Sequence, residues 1–223
     1  MANRCLLYYI TDRSQFRGDE PTRRHALLAK VAEGARAGVD YIQLREKDLS
    51  ARELESFAKE VVGLVRENSS STRLLINSRV DVALAAGADG VHLRADDVAP
   101  HEVRQVLELS AHRPLITEHF LVASSCHTVT DVLRTESEAA DFAVFAPVFE
   151  KTNAPAFEKS DTQPAGLAAL HQACRAKIPV FALGGVNLEN AASCLSAGAA
   201  GIAAIRLFQE NTIEDVARAL RAR

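Results

Sequence analysis

Ala37-Gly38-Val39-Asp40-Tyr41, Ala86-Gly87-Ala88-Asp89-Gly90 and Ala197-Gly198-Ala199-Ala200-Gly201 are three versions of one short phrase, and Ala139-Ala140-Asp141-Phe142 is a degenerate fourth. Each follows an Ala-rich stretch with charges at helical spacing and precedes a run of β-branched or aromatic residues. Glycine just past a helix adopts left-handed backbone at least cost, so each copy marks a junction from helix to strand. The copies lie roughly 50 to 60 residues apart, the length of two strand–helix units.

Working outward, eight strand-like runs are predicted: 6–11, 41–46, 73–77, 91–94, 120–125, 142–149, 179–183 and 202–208. The four junctions precede the second, fourth, sixth and eighth. Between the runs, Ser50 with Glu53 reads as a capping box, and Pro21 sits near the start of the first helix. Eight parallel strands with right-handed crossovers close into an α/β fold of the (β/α)8 TIM-barrel type, expected as a single domain over residues 1–223. The rival architecture is an open doubly wound sheet. No Gly-x-Gly-x-x-Gly follows the first run, which weighs against it.

Composition agrees with one large core. Of 223 residues, 48% are hydrophobic, 25% charged and only 5% aromatic, so the apolar mass is mostly Ala, Val, Leu and Ile. A net charge of −3 argues against nucleic acid as a partner, though a small phosphate pocket needs only a few cations. The apolar run near the N-terminus is too short for a signal core or a membrane span, and a cytoplasmic location without membrane contact is expected. Cys5, Cys126, Cys174 and Cys194 are widely spaced without a Cys-x-x-Cys pair, and read as buried thiols.

In such a barrel, ligand groups sit at the C-terminal ends of the strands. Alternation in Ile42-Gln43-Leu44-Arg45-Glu46-Lys47 puts Gln43, Arg45 and Lys47 on the inward face, a cradle for phosphate or diphosphate. The competing reading is a solvated strand end whose cations pair with Glu46 and Asp48. After the third run, Asn77 is a ligand donor, or Asn77 or Ser78 caps the next helix. After the fourth, Asp96 and Asp97 suit Mg²⁺ or a helix dipole, and His92 shares Arg94's face as a core residue or a catalyst. Ser124, Ser125 and Thr128 touch a ligand or cap a helix. The long polar loop after the sixth run carries Lys151 and Lys159, placed to add positive charge above a phosphate. Gly184-Gly185 and the turn at Arg206 read as a second phosphate site, where missing Cβ atoms let N–H groups approach an oxyanion.

Ile10-Thr11-Asp12-Arg13, Gln43-Leu44-Arg45-Glu46-Lys47, Asn77-Ser78-Arg79-Val80-Asp81, Gly90-Val91-His92-Leu93, Ser125-Cys126-His127-Thr128, Pro147-Val148-Phe149 and Gly184-Gly185-Val186, in this order, resemble the thiamine phosphate synthases and the related TenI-like thiazole tautomerases. The likeness runs from Leu7 to about Phe208. It implies a transferase of thiamine biosynthesis acting on small phosphorylated substrates. In that reaction hydroxymethylpyrimidine diphosphate loses diphosphate, and the cation is trapped by a thiazole phosphate nitrogen. By resemblance, Gln43, Arg45, Lys47 and Asn77 hold the diphosphate, Asp97 binds Mg²⁺, and Gly184 and Gly185 take the thiazole phosphate. Ser125 and Lys159 are the expected catalytic groups, with Arg94, Lys151 and Arg206 as further substrate contacts. The chain departs from the synthase pattern where Ser78 replaces a metal-binding Asp, Arg94 a glycine and Arg206 a small Ser. It departs from the tautomerase pattern where Pro147 replaces a His. A tautomerase, or a binder without turnover whose pocket Arg94 fills, are the alternatives.

Overall fold

The structure, a computed structural model, describes residues 4–109, 120–150 and 163–222. Its strands are β1 (Leu6–Ile10), β2 (Tyr41–Leu44), β3 (Arg73–Asn77), β4 (Gly90–Leu93), β5 (Leu121–Cys126), β6 (Phe142–Phe145), β7 (Val180–Ala182) and β8 (Gly201–Ala204). They pair in sequence order, all parallel, and the β1–β8 ladder, Leu6 opposite Gly201, closes the barrel. Around it lie α1 (Glu20–Arg36), α2 (Ala51–Asn68), α3 (Val80–Ala86), α4 (Pro100–Leu109), α5 (Val129–Ser137), α6 (Gly166–Ala173), α7 (Ala191–Ser196), α8 (Arg206–Gln209) and α9 (Ile213–Arg221).

The junction phrase performs two jobs. Gly38, Gly87 and Gly198 take φ of 70°, 71° and 104°, and in the degenerate copy Ala139 accepts the same left-handed turn at 63°. The Asp of each phrase then fastens the preceding odd-numbered strand. Asp40 Oδ2 accepts the Leu7 N–H at 2.9 Å, Asp89 Oδ2 that of Leu74 at 2.8 Å, and Asp141 Oδ2 that of Val122 at 2.6 Å. The backbone N–H of each Asp returns a bond to the carbonyl of the same strand residue. An edge donor at the strand's start is thus satisfied where the ladder has no carbonyl to offer. Where the phrase has Ala200, only the backbone bond to Val180 remains.

Alternation along the strands sorts two cores. Leu7, Tyr9, Ile42, Leu44, Leu74 and Ile76 face the helices. Tyr8, Ile10, Leu75, Ala123, Phe142, Val144, Phe181 and Ala203 fill the barrel. Branched aliphatics dominate most barrel interiors. Here the N-terminal half holds four rings, Tyr8, Tyr41, Phe142 and Phe181, with centroids 4.9 to 5.9 Å apart. The scarce aromatics are concentrated where large, rigid volume is needed.

Three strands stop two or more residues earlier than the sequence predicts. β2 ends at Leu44 because the Arg45 N–H turns to the Thr11 hydroxyl at 2.9 Å. β6 ends before Pro147, which has no N–H for a ladder. Val148 and Phe149 donate instead to Leu183 and Gly184 beyond β7. At the last strand, Arg206 opens α8 rather than continuing β8. The capping box of Ser50 and Glu53 forms as expected. All four cysteines are free, three of them buried and Cys174 half-buried. No helix among the described residues is long and apolar enough to cross a membrane.

Candidate active site

The C-terminal mouth collects unsatisfied donors. Gln43 points inward and is 1% exposed, and its Nε2 has no hydrogen-bond partner. Arg45, one pleat higher and half-buried, makes no side-chain hydrogen bond or ion pair among the described residues. Burial lowers its pKa, and the nearby charge of Arg94 adds to the shift against Asp12 and Glu46.

The acids that were candidates to neutralise Arg45 are used elsewhere. Buried Arg13 binds Glu46 through Nη1 at 2.9 Å, chelates Asp48 with two bonds of 2.7 Å and reaches Glu20 at 2.6 Å. Glu46 Oε1 accepts the Thr11 hydroxyl at 2.6 Å, and that same hydroxyl receives the Arg45 N–H. A closed polar network therefore fixes the backbone of Arg45 while leaving its guanidinium available. Lys47, on the same face by alternation, is exposed beyond the strand.

Behind Ser125 lies a relay that the sequence only hints at. His92 Nε2 is 2.8 Å from Ser125 Oγ, and its Nδ1 is 3.0 Å from the hydroxyl of fully buried Tyr8. Burial, and secondarily the charge of Arg45, pushes the imidazole pKa down to about 3, so the ring is neutral. A neutral ring carries one N–H. If that hydrogen sat on Nδ1, the Tyr8 O–H would be left without an acceptor in a dry core. The economical arrangement has Tyr8 donating to Nδ1 and Nε2–H donating to Ser125 Oγ. The Ser125 hydroxyl hydrogen is then free to point at a ligand. The helix-cap role belongs to Thr128, which forms a capping box with Asp131.

Asn77 closes the same arc. It continues the register that sets Leu44 opposite Ile76, and it pairs with His92 across β3 and β4. Its Nδ2 donates to Ser78 Oγ at 3.1 Å, and neither residue caps α3, whose N-cap Arg79 makes no side-chain cap bond. Across the mouth, Gly184 and Gly185 have φ of 93° and 64°. A Cβ would stand 2.6 Å from Pro147 Cα at the first and 2.4 Å from the Glu150 carbonyl at the second. No acceptor for the N–H of either glycine occurs among the described residues. Arg206 stands half-buried at the start of α8.

Arg94 and Asp97 lie on the loop after β4. Arg94 grips Asp96 through both Nε and Nη2, and its backbone N–H donates to Asp97 Oδ2 at 2.7 Å. Its Nε is 3.9 Å from Asp97 Oδ1. Both Asp residues precede the first turn of α4, so the dipole reading does not hold. For Mg²⁺ this donor set is a poor fit. Ser78 brings no carboxylate, and Asp97 already faces the Arg94 guanidinium and accepts its N–H. Lys151 and Lys159 lie outside the described residues. The sequence reading named neither Tyr8 nor Arg13 as a site residue, although Tyr8 and His92 both fall on inward positions of their strands.

Unpaired donors and backbone N–H groups at the C-terminal mouth of a parallel barrel define a (β/α)8 enzyme that handles phosphorylated small molecules. The sequence pattern of the thiamine monophosphate synthase family, TMP-TENI, matches residues 7–208, and the chain belongs to that family. Thiamine-phosphate synthase of Methanoculleus marisnigri is 36% identical over 220 residues, covering 97% of this chain and 94% of that one. The thiamine-phosphate synthase of Methanospirillum hungatei is 38% identical over 203 residues, covering 90% and 88%. Among solved structures, thiamine phosphate pyrophosphorylase from Pyrococcus furiosus superposes with a TM-score of 0.77 at 28% identity, covering 99% of this chain and 96% of that one. The 3-hexulose-6-phosphate synthase barrel, at 17% identity and a TM-score of 0.59, shares the fold.

Proposed function

We propose that the protein joins hydroxymethylpyrimidine diphosphate to thiazole phosphate, giving thiamine phosphate and diphosphate, a reaction that accords with the thiamine-phosphate synthase name of its relatives. The observation that carries the reading is the pair of unspent donors, the buried Gln43 Nε2 and the half-buried Arg45 guanidinium, beside a serine backed by a neutral histidine. Breaking the bond between the pyrimidine methylene carbon and the diphosphate oxygen sends the electron pair to diphosphate. The lone pair of the thiazole nitrogen then forms the new C–N bond. No proton transfer is required, and the chemistry asks for anion stabilisation and positioning.

In this reading Gln43, Arg45, Lys47 and Asn77 receive the diphosphate. The rigid Arg45 backbone keeps its fork in place as charge develops on the leaving group. Ser125 donates to the reacting groups. A histidine with a pKa near 3 is a poor general base at neutral pH, so His92 orients Ser125 rather than removing a proton. Gly184 and Gly185 offer N–H groups to the thiazole phosphate, with Arg206 at the adjoining turn. The family implies Mg²⁺ as a counter-charge to diphosphate. The donor set beside Asp97 fits that ion poorly.

The test is turnover by purified protein given both substrates, with thiamine phosphate and released diphosphate measured together. Both products are expected in equal amounts, and Arg45→Met is expected to lower the rate by about 100-fold or more while the fold survives. No product from intact protein refutes the reading. Isomerisation of a thiazole phosphate carboxylate alone selects the tautomerase, and binding of either substrate without turnover selects the non-catalytic binder.

A further inference from the structure

We propose that Arg94 takes over the counter-charge role at the diphosphate, so that this protein grips the leaving group with two guanidinium groups and works without a divalent metal. The inference rests on the diphosphate reading above. It starts from the misfit at the ends of β3 and β4, where Ser78 stands in place of one metal-binding carboxylate and Arg94 adds a cation beside the remaining Asp97.

The arrangement favours an anion between the two arginines. Arg94 follows Leu93 directly at the end of β4, two residues beyond His92, which pairs with Asn77 of β3. Arg45 continues β2 on the other side of β3, and the charge of Arg94 is near enough to act against that of Arg45, although Asp96 and Asp97 compensate Arg94 itself. Two like charges facing a mouth, above a buried amide nitrogen without a partner, are stabilised when an oxyanion enters between them. Diphosphate offers oxygens to both forks, the geometry for which arginine is suited.

Arg94 is held ready rather than consumed. Its partner Asp96 is exposed, and an exposed pair of this kind contributes little in water, so diphosphate oxygens can replace the carboxylate. Asp97 fixes the backbone N–H of Arg94 and contributes loop geometry. At the end of β3, Ser78 supplies no carboxylate. It sits at φ 62° with its N–H bonded to the His92 carbonyl at 2.8 Å. A cation at this point would meet one partly neutralised carboxylate and an opposing guanidinium.

The experiment titrates inorganic diphosphate into ligand-free protein by calorimetry, once in EDTA and once in saturating Mg²⁺, and follows turnover under both conditions. Wild type is expected to bind in EDTA within about 3-fold of its affinity in Mg²⁺ and to keep turning over. Arg94→Ala is expected to lose about 10-fold or more of its affinity in EDTA, with Arg94→Lys recovering part of the loss and thermal melts confirming both folds. Binding and turnover that collapse in EDTA overturn the proposal, as does an Arg94→Ala protein that binds like wild type. If diphosphate binds in EDTA through Arg94 but no thiamine phosphate forms, the counter-charge role stands and the synthase reading falls.

Discussion

Replacing Gln43 with Met should stabilise the ligand-free protein and weaken its hold on diphosphate, two effects of opposite sign from one side chain. Gln43 is 1% exposed and its Nε2 has no partner. A buried donor without an acceptor costs about 1–3 kcal/mol, and Met fills a similar volume without that penalty. Part of the gain is lost to imperfect repacking, so a net stabilisation of about 1–2 kcal/mol is expected. For a chain of this size each kcal/mol raises Tm by about 2–4 °C, which predicts a rise of about 2–8 °C. A hydrogen bond to a charged ligand contributes about 1.5–3 kcal/mol, so diphosphate affinity should fall about 10- to 100-fold. Thermal melts with and without diphosphate read both effects. A melting temperature that drops, or an affinity for diphosphate that stays put, refutes the claim that this amide is an unspent ligand donor.

The degenerate junction offers a stability test far from the mouth. Ala139 is exposed at φ 63°, so Ala139→Gly removes about 1–2 kcal/mol of backbone strain and adds about 0.4–1 kcal/mol of unfolded-state entropy. A net gain of about 0.5–1 kcal/mol should appear as a higher urea midpoint, with turnover unchanged. The buried imidazole predicts a pH dependence. His92 titrates at about 3 in the fold and near 6.5 when unfolded, so the unfolded chain binds the extra proton between those values. Stability is therefore fully present above about pH 6.5 and falls on acidification, by up to about 1.4 kcal/mol per pH unit. His92→Gln should flatten the urea-denaturation profile between pH 4.5 and 6.5, and an unchanged slope would show that the ring is not held neutral.

Much of the barrel was legible because it is written in local terms. Helix-to-strand junctions need left-handed backbone, and Gly38, Gly87 and Gly198 announce it in the sequence. The alternation at Ile42 to Leu44 sorts inward from outward residues with no knowledge of their neighbours. Strand ends were less legible, since β2, β6 and β8 stop where a side chain from another element, a missing N–H or a helix start intervenes. Gln43 and Arg45 could be proposed as ligand groups from spacing alone. That both are unspent could not, because it depends on where Glu46 and Asp48 find their partner.

The sequence by itself determined an eight-unit parallel barrel and the family, and it put Gln43 and Arg45 on one face of the second strand, because periodicity and glycine positions act over a few residues. The tertiary structure decided how those residues are spent. Arg13, from the first strand-to-helix connection, crosses to Glu46 and Asp48 and leaves Arg45 uncompensated. Tyr8 and Ser125, 117 positions apart in the chain, meet at the two nitrogens of His92. Such pairings follow from barrel closure, which brings distant strands side by side in a dry interior where each donor must find an acceptor or wait for a ligand.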